Sequence, residues 1–158
     1  MTRKPNNKIF REIIRHTPLV SIDLLVQKES KFLLGKRAIN PAKNFWFTPG
    51  GRILKDETIS EAFERITFME LGKSFPIKEA TFHGNYEHHH PNNFFSEEFT
   101  THYIVMCYFI PLNESIVLPK DQHTSFKWFD KKSIIDDNKV HQFVKDYFLK
   151  DEGQGNLV

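Results

Sequence analysis

The sequence predicts an α/β chain of the α+β kind, a mixed β-sheet sandwiched between α-helices. Three observations carry that expectation. Apolar, β-branched runs of strand length recur along the chain, separated by polar or Gly/Pro turns. One segment near the middle carries helix signals at both its start and its stop. Two shorter helical segments follow the last strand-like run. At 158 residues the chain is the size of one domain, expected over residues 1–150, with "DEGQGNLV" (151–158) as a loose tail.

The elements follow in order. In "KIFREIIR" (8–15), Ile9, Phe10, Ile13 and Ile14 form one stripe of a short amphipathic helix that must pack on something. "LVSIDLLVQ" (19–27) and "KFLLGKR" (31–37), joined by the polar turn "KES", read as a hairpin or adjacent strands. "NFWFTPGG" (44–51) ends in a turn signal. Thr58 followed by Glu61 makes a capping box, and Ile59, Ala62, Phe63 and Ile66 form the buried stripe of a helix over 59–71. Gly72 suits its left-handed stop. "IKEATFHGNYEH" (77–88), "TTHYIVMCYFIPL" (100–112) and "TSFKWFD" (124–130) are strand-like, and helices are expected near 131–136 and 138–150.

Composition narrows the function classes. A net charge of +2 lacks the basic excess of a chain that grips long nucleic acid. The 16 Phe read first as a Phe-rich core and, where apolar surface is left over, as a homodimer interface. The single Cys107 sits in an apolar run and reads as a core thiol. The basic N-terminus has no continuous apolar stretch, so it is not read as a signal peptide. No run is long enough to span a bilayer, and a cytoplasmic protein without a membrane partner is expected.

The chemistry concentrates in "GGRILKDETISEAFERITFMELG". Paired glycines let backbone approach an anion closely. Glu57, eight residues before Arg65, can brace the loop against the helix that follows. The order Gly51, Glu57, Arg65, Glu70, Gly72 resembles the Nudix box, a loop and helix that bind diphosphates through a divalent cation. Two departures stand out. Ile66 follows Arg65 where the box has Glu, and Met69 replaces the first acid of a Glu pair. Thr67 adds no acid, so Glu70 is left nearly alone.

The departures match one branch of that family, the GDP-mannose mannosyl hydrolases. "TPLVSIDLLV" (17–26), "FLLGKR" (32–37), "WFTPGGRILKDET" (46–58), "AFERITFMELG" (62–72), "FTTHYIV" (99–105) and "LPKDQH" (118–123) all resemble it, covering nearly the whole chain. The resemblance implies the Nudix fold and Mg2+-dependent hydrolysis of a GDP-hexose, GDP-mannose or GDP-glucose. Water attacks the anomeric carbon with inversion, and GDP and free hexose leave. A diphosphate leaving group needs charge neutralisation more than a proton, so one cation and a few Arg can replace a carboxylate cluster.

The same resemblance assigns residues. It implies one Mg2+ (Mn2+ as a substitute) on the backbone carbonyl of Gly50, the Glu70 carboxylate and the Gln122 amide. His123 is the expected general base, since imidazoles titrate near neutral pH. Arg37 and Arg52 are expected on the diphosphate, with help from Arg65 and Tyr103. Asp23, mid-strand, needs a partner, either Arg37 or a sugar hydroxyl. His88 matches a histidine near the family's active site, whereas His90 stands where an aromatic residue is expected. Three consecutive histidines without Cys or HExxH context make zinc a poor reading of "EHHHPNN". Two alternatives stay open: a pyrophosphatase attacking phosphorus to give GMP and sugar phosphate, and a non-catalytic nucleotide-sugar sensor.

Overall fold

The computed structural model describes residues 4–119 and 123–149. Gln122 and the tail at 151–158 therefore lie outside the described residues. Helix α1 (Asn7–His16) is capped by the Asn6 side chain, which accepts from the Ile9 amide. Ile14 is buried but Ile9 is exposed, so the expected four-residue stripe is narrower than its periodicity implied. Strands β1 (Leu19–Lys28) and β2 (Lys31–Arg37) follow, then two short strands, β3 (Trp46–Phe47) and β4 (Gly50–Arg52), flanking the Thr-Pro turn.

Helix α2 (Ile59–Leu71) carries the full capping box, and Gly72 adopts φ 76° at its end. Ala62, Phe63 and Ile66 are buried. Ile59 is exposed, because the first residue of the helix lies beyond the sheet's edge of cover. The run expected as strand from 77 begins instead as a single 3-10 turn, Ile77–Glu79, and the strand β5 is Thr81–His90. Strand β6 is Thr101–Pro111 and β7 is His123–Asp130. Helices α3 (Lys131–Asp136) and α4 (Gln142–Leu149) end the described chain. The last helix starts at Gln142, not near 138. Val140 bridges to Trp46 in extended backbone first, and the His141 amide donates to the Trp46 carbonyl.

The sheet is mixed, in the order β3-β2-β1-β6-β5, with β4 added to β1 and β7 to β2. β1 and β6 run parallel over their length, and the other pairings are antiparallel. Period-two alternation gives β1 two faces. Ile22, Leu24 and Val26 pack with Ala62, Phe63 and Ile66 of α2. Leu25 faces the other way, with Cys107 and Tyr147 of α4. Cys107 is the buried core thiol that its apolar context predicts. Leu34, Phe47, Phe129, Ile134 and Val144 close the second helical layer.

One detail of the pairing opens the site. β1 holds β2 only at Gln27 and Lys28, then pairs with β4 at Ser21, Ile22 and Asp23. The two long strands splay apart, and the gap is where the cavity forms.

Candidate active site

The cavity holds about 210 Å3 and is walled by the splayed ends of β1 and β2, the loop entering α2, the inward face of β5, and α1. It gathers Asp23, Arg37, Gly50, Arg52, Arg65, Glu70, His88, Tyr103 and His123, the sequence-expected residues within the described chain.

Glycine builds two of its walls. A Cβ at Gly50 would stand 2.5 Å from both Asp23 Oδ1 and the Ile22 carbonyl, so only glycine lets β4 lie this close to β1. A Cβ at Gly35 would stand 2.5 Å from His123 Nδ1. The pairing of Arg37 with His123 brings β7 across β2, and the bare Gly35 backbone receives the imidazole.

His123 is buried, and its Nε2 lies 3.3 Å from Glu70 Oε2. Its Nδ1 is buried and has no hydrogen-bond partner among the described residues. Glu70 is 6% exposed. Its Oε2 faces the imidazole, while its Oε1 makes no hydrogen bond among the described residues and is not sealed. A carboxylate oxygen unspent at the wall of a cavity is the donor type a hard divalent cation takes. Among the described residues no three side chains of His, Cys, Asp or Glu converge as a ligand cluster. A hard cation such as Mg2+ could take Glu70 and the backbone oxygens near it, whereas the expected ligand Gln122 lies outside the described residues.

The helix face turned to the cavity explains the scarcity of acid. Ile66 and Met69 line it beside Glu70. Thr67 points elsewhere: its hydroxyl donates to the Glu64 carbonyl and accepts from the Phe75 amide.

Arg65 binds Glu57 through Nε at 2.6 Å and a second nitrogen at 2.9 Å, and donates to the Arg52 carbonyl at 2.7 Å. Glu57 also accepts from the Leu54 amide. Together these contacts pin the loop to α2, and the Arg65 hydrogen bond holds the Glu57 carboxyl below its ordinary pKa. Arg37 donates Nε to the Pro41 carbonyl at 2.8 Å, and the Arg52 guanidinium stacks 3.8 Å from the centre of the Phe10 ring. Burial raises the Tyr103 phenol above its usual range, with Arg37 and Arg52 working against the shift.

Asp23 departs from expectation. Its partners are the Thr48 hydroxyl, at 3.1 Å, and the Tyr147 hydroxyl from α4, rather than a direct contact with Arg37. The Tyr147 oxygen lies 3.3 Å from His88 Nε2, and the His88 ring stacks on Phe143 at 4.3 Å. Burial lifts the Asp23 carboxyl to a pKa of about 6, with the Tyr147 and Thr48 hydrogen bonds and the Arg37 charge opposing it. Sequence reasoning missed Tyr147, Thr48 and Gly35. The signals were present: a tyrosine on the inward face of "QFVKDYFL", which needs a partner for its hydroxyl, and a lone glycine inside a strand.

The class follows from fold and site together: a mixed sheet between helices, with a braced loop running into a capped helix at the cavity wall. The NUDIX domain profile matches residues 16–151, and the chain belongs to the NUDIX domain family. One relative is the low-salt glycan biosynthesis protein Agl8 of Haloferax volcanii, 32% identical over 146 residues and covering 92% of this chain and 89% of that protein. Among solved structures, the MutT NUDIX hydrolase of Burkholderia pseudomallei superposes with a TM-score of 0.68 at 19% identity, covering 84% of this chain and 96% of that one. A bifunctional NMN adenylyltransferase/ADP-ribose pyrophosphatase of Francisella tularensis, complexed with AMP and a manganese ion, superposes with a TM-score of 0.60 at 21% identity, covering 89% of this chain and 42% of that one. The fold is that of the Nudix hydrolases.

Proposed function

We propose that the chain hydrolyses a GDP-hexose, GDP-mannose or GDP-glucose, at the anomeric carbon with inversion, releasing GDP and free hexose. One observation carries the reading. The cavity-facing positions of α2 hold Ile66 and Met69, leaving Glu70 as the acid and an imidazole, His123, as the group 3.3 Å from it. A site built to attack phosphorus gathers carboxylates to hold several cations and activate water. Here α2 offers the cavity a single carboxylate, Glu70, beside a nitrogen base, while Asp23 on β1 is held by Thr48 and Tyr147. A relative named for glycan biosynthesis fits a nucleotide-sugar substrate.

Water attacks C1 of the hexose from the face opposite the diphosphate. The His123 imidazole takes the proton, and the electron pair of the broken C1–O bond stays on GDP. Arg37, Arg52, Arg65 and Tyr103 bind the diphosphate, with charge-assisted hydrogen bonds that tighten as it departs. Asp23 and His88, joined through Tyr147, form the polar floor that orients the sugar end. Mg2+, or Mn2+ in its place, would rest on Glu70, the Gly50 carbonyl and Gln122, and would neutralise charge on the leaving diphosphate. We place the enzyme in the cytoplasm as a homodimer.

The test is a panel of GDP-mannose, GDP-glucose and GDP-fucose with Mg2+, scored for products. GDP with free hexose supports the reading. GMP with hexose phosphate replaces it with a pyrophosphatase, and no turnover of any member replaces it with a nucleotide-sugar sensor.

A further inference from the structure

Alternation along β5 puts Tyr86, His88 and His90 on its inward face and His89 outward. His90 is 5% exposed and lines the cavity. Its ring is gripped by aromatic neighbours, Tyr103 at 6.1 Å, Phe143 at 5.0 Å and Phe47 at 6.4 Å between centroids. Neither ring nitrogen has a hydrogen bond among the described residues. Neither is sealed, as His102 Nε2 and His123 Nδ1 are. A nearly buried polar side chain therefore keeps both of its hydrogen-bonding atoms for the cavity.

The surroundings decide what those atoms suit. Burial first, then the proximity of His141 and the Arg37 guanidinium, lowers the imidazole to a pKa of about 3. At neutral pH it is uncharged, one nitrogen donating and the other accepting. A phosphate oxygen only accepts, and the cavity already has Arg37, Arg52 and Arg65 for that purpose. A hydroxyl both gives and takes a hydrogen bond.

We propose that His90 is a specificity-determining residue that binds a sugar hydroxyl of the nucleotide sugar. The inference rests on the nucleotide-sugar reading above but not on which bond is broken. Two sugars in the substrate carry hydroxyls, the hexose and the ribose, and the experiment separates them.

Dissociation constants are measured by calorimetry for GDP-mannose, GDP and inorganic pyrophosphate, in the His123→Ala chain to prevent turnover. They are compared with His123→Ala/His90→Phe and His123→Ala/His90→Gln. His90→Phe should weaken GDP-mannose about tenfold, the worth of one neutral hydrogen bond. His90→Gln, which keeps a donor and an acceptor, should recover most of that. Pyrophosphate should be unaffected. An unchanged GDP affinity assigns the hexose, and an equal loss for GDP assigns the ribose. Weakened pyrophosphate binding, or no change for any ligand in the Phe variant, overturns the proposal. Should the Phe variant not fold, His90→Leu takes its place under the same criteria. A His123→Ala chain that binds neither GDP nor GDP-mannose defeats both readings. Binding as expected, with GMP formed by the native chain, defeats only the choice of bond.

Discussion

His123 and Glu70 meet where the start of β7 faces α2, 3.3 Å apart, and the account gives them different tasks that fail differently. His123→Ala should slow turnover by about 10²- to 10⁴-fold, the usual span for a general base. GDP affinity, measured by calorimetry, should stay within a few-fold. An equal loss of GDP binding would make His123 a ligand contact instead. Glu70→Gln should raise the Mg2+ concentration needed for half-maximal rate, and an unchanged metal titration would remove Glu70 from the ligand set. Tyr147 is fully buried, and its hydroxyl reaches Asp23. Tyr147→Phe removes that donor and leaves the acid with Thr48 alone. Denaturant unfolding should show a loss of about 1–3 kcal/mol, the range for stranding a buried polar partner. No measurable loss would mean the contact is not formed in solution.

At the scale of elements, the site depends on two close approaches. Gly35 in β2 makes room for the His123 ring, and a methyl group there would stand inside it. Gly35→Ala should therefore lower turnover as a displaced base does, while the unfolding midpoint moves far less than for a core cavity. Full activity in that variant would refute the packing. The loop before α2 is held by Glu57, whose carboxyl is kept below its ordinary 4.5 chiefly by the Arg65 hydrogen bond. A depressed acid stabilises the fold above its ordinary pKa, and the contribution fades as pH falls through the folded value. The stability gap between the native chain and Glu57→Gln should thus be present at pH 7 and shrink as the pH is lowered below 4.5, as read by chemical denaturation. A gap independent of pH would assign the effect to packing. These elements were unequally legible in the sequence. Thr58, Glu61 and Gly72 announced α2 because caps are local, and the strand runs announced themselves by composition. What stayed hidden was set by distant contact. Tyr147 lies 124 positions from Asp23, and no local pattern pairs them. Ile59 and Ile9 fit their stripes yet stay exposed, because periodicity says which face is apolar but not how far the sheet covers it.

Across the whole molecule, the fold turns one topological event into a site. β1 pairs with β2 only at Gln27 and Lys28, takes β4 at Ser21 to Asp23 instead, and so exposes Asp23, the glycine loop and the α2 wall to a single cavity. The choice of bond rests here on the α2 wall, where apolar Ile66 and Met69 leave Glu70 as the one carboxylate facing the His123 imidazole. Most of this ensemble could be read from the motif, because the loop and helix are contiguous. Of the floor, His88 on β5 was legible through the resemblance, but its α4 partner Tyr147 was not. Solvent labelling addresses the choice of bond directly: turnover of GDP-mannose in ¹⁸O-water, with both products analysed by mass spectrometry. The account predicts the label in the free hexose and none in GDP. Label in a phosphoryl product would contradict it.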